Sequence, residues 1–286
     1  MLGALLVGAL LYPVAARAAT AADRLTTETM SVGSTPRTYD LFVPANYDQP
    51  GAVHGLALVF HGMGSTNESL EKYVVPAASA HGIVVAFPQG IGNSWNAGGC
   101  CGSARGANVD DLGFAHQLAS LLTARFHPRT VIAAGYSNGA MLSWYLACQP
   151  HSFVAGVVDA SGTEAIDEPA CNPHRRILVS AVHGRHDPVV PYQGGGNPAW
   201  EAETGSGPFR AITSVITEWG QDHQRCQSAV STHVPGWSTI HWSACPDGSS
   251  VTLYTIDGMG HDVPNYAAGA PVDFGSLIVD ATARAR

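Results

Sequence analysis

Charge is scarce in this chain: Asp, Glu, Lys and Arg make up 13% of its 286 residues, and the formal net charge is −8. No basic run occurs, which excludes nucleic acid and anionic membrane surfaces as expected partners and favours a neutral substrate. Nothing divides the chain either, for it has no linker, low-complexity tract or internal repeat, so a single core is expected. There is no C-x-x-C pair and no histidine spacing to match one, so no metal and no other cofactor is expected.

What is present begins with "MLGALLVGALLYPVAARAAT", an apolar stretch too short to span a bilayer, followed by Ala16-Arg17-Ala18. It reads as a signal peptide over residues 1–18 with an exported catalytic domain over 19–286, although its start lacks Lys and Arg. An exported chain can oxidise its six cysteines, at 100, 101, 148, 171, 226 and 245. The local pairs are Cys226 with Cys245 and Cys148 with Cys171, each closing a loop of about twenty residues. Cys100 and Cys101 are adjacent, and both a vicinal disulfide and two free thiols stay open.

Short apolar runs alternate with helical patterns. "RTYDLFVP" alternates as an outer strand does, whereas "GLALVFHG", "GIVVAFPQG", "TVIAAGYS", "FVAGVVDAS", "RILVSAVHG" and "VTLYTIDG" are continuous runs of the kind buried on both faces of a parallel sheet. "DDLGFAHQLASLLTARF", "NGAMLSWYLAC", "FRAITSVITEWGQDH" and "VDFGSLIVDATARAR" read as helices. Asp110 and Asp111 stand where carboxylates cap exposed N–H groups. The expected fold is α/β: a mostly parallel, doubly wound sheet with helices on both faces and its chemistry at the C-terminal strand ends.

"AAGYSNGAML" places Ser137 between Gly135 and Gly139, at the junction of one such strand and one such helix. A lone G-x-S-x-G is weak, and a capping serine in a tight glycine turn is its plain alternative. The strand-to-helix setting is that of a nucleophile held on a sharp turn. Such a serine needs a base and an acid, and Asp187 and His261 follow in that order on two later strand-end loops, in "HGRHDPVV" and "DGMGHDVP". Asp159, Asp257 and Asp262 compete for the acid role, and His183 and His186 for the base. Developing negative charge on an ester oxygen needs donors, assigned to the backbone N–H groups of Asn138 and Met63, with Gly62 and Gly64 as neighbours of the latter. Trp95 and Tyr192 are candidate walls of a substrate pocket, as are Trp200 and Tyr266.

With these residues in hand, the chain resembles the secreted α/β-hydrolase esterases that include feruloyl esterases, acetylxylan esterases and polyhydroxybutyrate depolymerase-like proteins. The resemblance runs from "RTYDLFVP" to "GMGHDVP" through "LVFHG", "SWNAGGCCG", "DDLGF", "GYSNGAM" and "HGRHDPVVPYQGG". It implies an α/β-hydrolase fold with Ser137, Asp187 and His261 as the triad. It also implies that Cys100 and Cys101 lie on a loop near the active-site mouth. Where the family commonly has an aromatic after the histidine, Asp262 and Val263 stand here. The expected function is hydrolysis of polyhydroxybutyrate-type oligoesters or feruloyl and acetyl esters through an acyl-enzyme. An acyltransferase of the same fold and a binding-only homologue are the alternatives.

Overall fold

Every run expected as a strand is one, and three further strands join them. In chain order the main elements are β1 (Arg24–Val32), β2 (Thr35–Val43), β3 (Gly55–Phe60), α1 (Glu71–His81), β4 (Ile83–Pro88), α2 (Gly102–Gly106), α3 (Asp111–Phe126), β5 (Thr130–Tyr136) and α4 (Asn138–Ala147). They continue as β6 (Gly156–Ala160), β7 (Leu178–Gly184), α5 (Pro198–Thr204), α6 (Ile212–Glu218), β8 (Ser228–Val234), β9 (Trp237–Ser243), β10 (Val251–Ile256) and α7 (Phe274–Arg284). This computed structural model describes residues 22–165, 171, 173, 176–196 and 198–285, so the expected leader over 1–18 lies outside them.

The ten strands form one sheet in the order β1-β2-β4-β3-β5-β6-β7-β10-β9-β8. The six central strands from β4 to β10 are parallel, while β2 runs against β4 and β9 against β10. The pleat sorts side chains between two cores. In β3, Leu56, Leu58 and Phe60 face Phe114 of α3 and Met141 and Trp144 of α4, while Ala57 and Val59 face Val74 of α1 and Phe274 and Ile278 of α7. Burial on both faces is why these strands are apolar without alternation.

One expectation needs correction: β2 is not outermost. β1 pairs along its free side from Arg24 opposite Val43 to Val32 opposite Thr35. The helix starts behave as expected in one respect and differ in another. Asp110 caps α3 by accepting from Gly113 N at 2.8 Å. Asp111 instead turns inward, where it pairs with the buried Arg37 at 2.8 Å and accepts from Asn96 N at 2.8 Å. Burial pushes the Asp111 carboxyl up, against the opposing pull of Asn96 N–H and Arg37.

Cys148–Cys171 and Cys226–Cys245 are disulfides as expected, and the open pair Cys100–Cys101 is bonded as a vicinal disulfide. Among the described residues no helix is long and apolar enough to cross a membrane.

Candidate active site

The parallel strands end at one edge, and the turn from β5 into α4 brings Ser137 there. Its backbone is strained, with φ 53° and ψ −121°, a region that residues with a side chain rarely occupy. The surrounding structure holds it: Ser137 N donates to Ala160 O at 2.9 Å, and Ser137 O accepts from Met141 N at 3.0 Å. The flanking glycines are required by contact. A Cβ on Gly135 would lie 2.3 Å from the carbonyl carbon of Gly139, and one on Gly139 would lie 2.1 Å from Phe60 O.

Ser137, His261 and Asp187 come together in a chain of hydrogen bonds. Ser137 Oγ donates to His261 Nε2 at 2.9 Å, and His261 Nδ1 donates to Asp187 Oδ2 at 2.8 Å. The other carboxylate oxygen accepts from Val189 N at 2.8 Å and Val190 N at 2.9 Å. Burial opposes ionisation of Asp187, but the His261 hydrogen bond and charge and the two backbone donors outweigh it and hold the carboxyl below its usual range. The Asp187 carboxyl is therefore ionised near neutral pH.

The rival residues are occupied elsewhere. Asp159 is fully buried and accepts from Trp144 Nε1 at 2.8 Å and Gly162 N at 2.7 Å. Asp257 pairs with Arg185 at 2.6 Å, and Asp262 is exposed on the loop beside His261. His183 is buried, donates through Nε2 to Val190 O at 2.8 Å and lies 3.4 Å from Asp187 Oδ2. His186 is exposed.

Beside the serine runs the loop that follows β3. His61 Nε2 accepts from Gly90 N at 3.0 Å, and a backbone N–H can only donate, so the proton sits on Nδ1 and is given to Gly62 O at 2.7 Å. Burial lowers the His61 pKa, against the raising effect of the Gly62 hydrogen bond, and keeps this ring neutral. The anchored loop comes close to Ser137, since a Cβ on Gly62 would lie 3.5 Å from Ser137 Cβ. Met63 N–H follows directly. As the first residue of α4, Asn138 has a backbone N–H without an intrahelical acceptor.

Two expected pocket walls are corrected. Trp95 is 0% exposed, its indole N–H donating to His61 O at 2.9 Å, and its backbone is gripped by the Asn138 side chain at 2.7 and 3.0 Å. Tyr192 is also buried, with its hydroxyl 2.9 Å from Thr255 Oγ1. Both pack into the core and support the loops. Tyr266 is exposed, and the Trp200 side chain lies outside those described. For a metal, Cys148, Cys171 and Glu164 are the one candidate cluster among the described residues, but the two sulfurs are bonded to each other and Glu164 accepts from Trp219 Nε1 at 2.9 Å.

Two residues outside the expected set also touch the site. Tyr136, adjacent to the serine, and Ser161, at the end of the next strand, both hydrogen-bond the loop of His261. The only signal in the sequence was their place at strand ends.

Known proteins share this architecture. Residues 114–201 match the phospholipase/carboxylesterase family. The chain is 29% identical over 244 residues to NocK of Nocardia uniformis subsp. tsuyamanensis, named as an esterase, covering 80% of this chain and 70% of NocK. It is 29% identical over 209 residues to feruloyl esterase B of Piromyces equi, covering 70% of this chain but only 38% of that protein. Among solved structures, the acetyl xylan esterase of Aspergillus awamori superimposes with TM-score 0.62 at 15% identity, covering 85% of this chain and 97% of that one. A ferulic acid esterase of Anaeromyces mucronatus, in complex with ferulic acid, gives TM-score 0.55 at 13% identity, covering 92% and 95%. The sheet and these likenesses define an α/β-hydrolase fold, and the matched family and both curated relatives are named as carboxylesterases or esterases. The expected resemblance to esterases is thereby borne out.

Proposed function

We propose that this protein is a secreted serine esterase in which Ser137 is the nucleophile, His261 the general base and then acid, and Asp187 the residue that orients the imidazole and stabilises the imidazolium. The observation that carries the reading is the continuous chain from Ser137 Oγ through His261 to Asp187 at 2.9 and 2.8 Å. His261 Nε2 takes the hydroxyl proton as Ser137 Oγ attacks the ester carbonyl. The oxyanion is met by the N–H groups of Asn138 and Met63. On collapse the C–O bond breaks, His261 returns the proton to the departing alcohol, and an acyl-enzyme remains. Water then enters, His261 takes its proton, and the acid is released with Ser137 restored.

The names of the relatives favour feruloyl and acetyl esters as the substrate class, with polyhydroxybutyrate-type oligoesters as the second. The acidic chain suits neutral esters of either kind. Three disulfides suit an oxidising compartment, which supports export. The test is kcat/KM on methyl ferulate, a short p-nitrophenyl acyl ester and a 3-hydroxybutyrate trimer, for the protein and for Ser137→Ala. A fall of at least about a thousandfold in the variant is expected. Equal rates in the two proteins would end the triad reading, and transfer to an added alcohol that outruns hydrolysis would make the enzyme an acyltransferase.

A further inference from the structure

The base stands on a segment with little backbone support. None of the N–H groups of Gly260, His261, Asp262 and Val263 donates to a backbone carbonyl among the described residues. The segment is held instead through its carbonyls. Tyr136 Oη donates to His261 O at 2.8 Å, and Ser161 Oγ donates to Asp262 O at 2.7 Å.

Both hydroxyls belong to the frame that fixes the nucleophile. Tyr136 ends β5 directly before Ser137, and Ser161 follows β6, which pairs with β5 from Ala133 opposite Val157 to Tyr136 opposite Ala160. Ser161 also turns with φ 54° while its N–H donates to Val182 O at 2.9 Å, so its side chain leaves a fixed backbone. The Tyr136 ring does a second task. One side lies 5.1 Å, centroid to centroid, from the His261 imidazole, and a Cβ on Gly62 would come within 2.8 Å of Tyr136 Cδ1. One side chain therefore touches both the base and the loop that leads to Met63. Burial, with the charges of Asp262 and Asp187, pushes the Tyr136 phenol above its ordinary range, so it stays a protonated donor near neutral pH.

We propose that Tyr136 and Ser161 are positioning residues, two hydroxyl clamps on successive carbonyls that set His261 Nε2 against Ser137 Oγ. The proposal rests on the triad reading above. Its logic is geometric, because a displacement of about 1 Å in a reacting pair can cost about a hundredfold in rate.

The test uses Tyr136→Phe, Ser161→Ala and the double variant, each checked for its melting temperature. Kinetics are measured on the best ester, and the low-field proton resonance of His261 Nδ1–H is followed by NMR in every variant and in Ser137→Ala. Loss of a clamp should lower kcat about tenfold for Tyr136→Phe and about threefold for Ser161→Ala, with KM within about twofold. The double variant should lose more than the product of the two, since both clamps hold one segment. The imidazole resonance should broaden in step with kcat. The proposal is overturned by a double variant with unchanged kcat, by losses confined to KM, or by an unaltered resonance. If Tyr136→Phe fails to fold, Ser161→Ala decides alone. If Ser137→Ala proves fully active, the triad reading fails, and the resonance still judges the clamps without reference to turnover.

Discussion

The middle of the sheet and its far edge are built on opposite terms. At the β5–α4 turn, backbone meets backbone: Gly135, Gly139 and Phe60 approach so closely that no side chain fits between them, and Ser137 is held in a strained conformation. At the far edge, β8 carries almost all its side chains into solvent, and the β8–β9 hairpin is stapled at its base by Cys226–Cys245. The centre fixes atoms by exclusion of space, and the hairpin only by pairing and a covalent link.

The largest break in this contrast comes from one methyl group. In an ordinary helix Gly→Ala is favourable by about 1 kcal/mol, from backbone entropy. At Gly139 the added Cβ would lie 2.1 Å from Phe60 O and 2.5 Å from His61 O, both backbone atoms that cannot rotate away. Overpacking of this kind costs about 3 kcal/mol, so the steric term wins. Gly139→Ala should lower stability by about 2 kcal/mol net. It should also abolish ester turnover, since the shift falls on Ser137 and the loop to Met63 together. Urea unfolding and kcat measure the two effects; a more stable, active variant would show that α4 does not need its contact with β3.

The staple at the other end should separate stability from rate. Cys226 and Cys245 are 19 residues apart, and opening such a loop costs about 3 kcal/mol in the loop-entropy account, less where the unfolded chain stays compact. Since the two local effects are then similar in stability, the catalytic readout is what ranks them. Cys226→Ser with Cys245→Ser should melt earlier, yet keep kcat within about twofold, because the hairpin supplies no member of the Ser137–His261–Asp187 chain. A matching loss of kcat would mean that the hairpin braces the His261 loop.

The same contrast decided what the sequence revealed. The central strands are buried on both faces and read as unbroken apolar runs, so they were legible as strands of a mostly parallel sheet, and Ser137, Asp187 and His261 as residues at their ends. β1, "RLTTETMSV", and β8, "SAVSTHV", lie at the edges with polar residues on both faces, and their pairing leaves no apolar signature. α1 was hidden for another reason: Pro76 and two adjacent valines break its pattern, and only Val74 and Ala78 are buried. Trp95 and Tyr192 show a third limit. A loop aromatic does not disclose whether it faces the cleft or the core, and both face the core.

A smaller effect lies between the two regions, where α1 begins beside β2. Asp40 is buried and accepts from Thr27 Oγ1 at 2.6 Å and from the amide of Asn67. Glu71 is pushed up to about 7 by burial, by the Asp40 charge and hydrogen bond, and by Glu68. In the unfolded chain a glutamate ionises near pH 4.3, about its ordinary value. Between these pH values the folded state binds more protons, so stability falls as pH rises towards 7 and the cost is constant above it. Glu71→Gln should therefore melt like the parent near pH 4 and about 2 °C higher at pH 8, a modest gain because Glu71 is partly solvated. Identical melting curves at pH 8 would mean that Glu71 and Asp40 share no proton.

The smallest expected effect is at the hairpin surface. Val230 is 53% exposed on β8, the last strand of the sheet, and belongs to neither core. Val230→Thr keeps the branched shape that suits a strand and trades one exposed methyl for a hydroxyl, so stability should move by less than about 0.5 kcal/mol. Melting should be the same at every protein concentration and kcat unchanged. A melting temperature that drops in the variant, and more at high concentration than at low, would instead mean that the free edge of β8 pairs with a second copy. In that case the exposed valines belong to an interface, and the looseness of this edge is a property of the single chain alone.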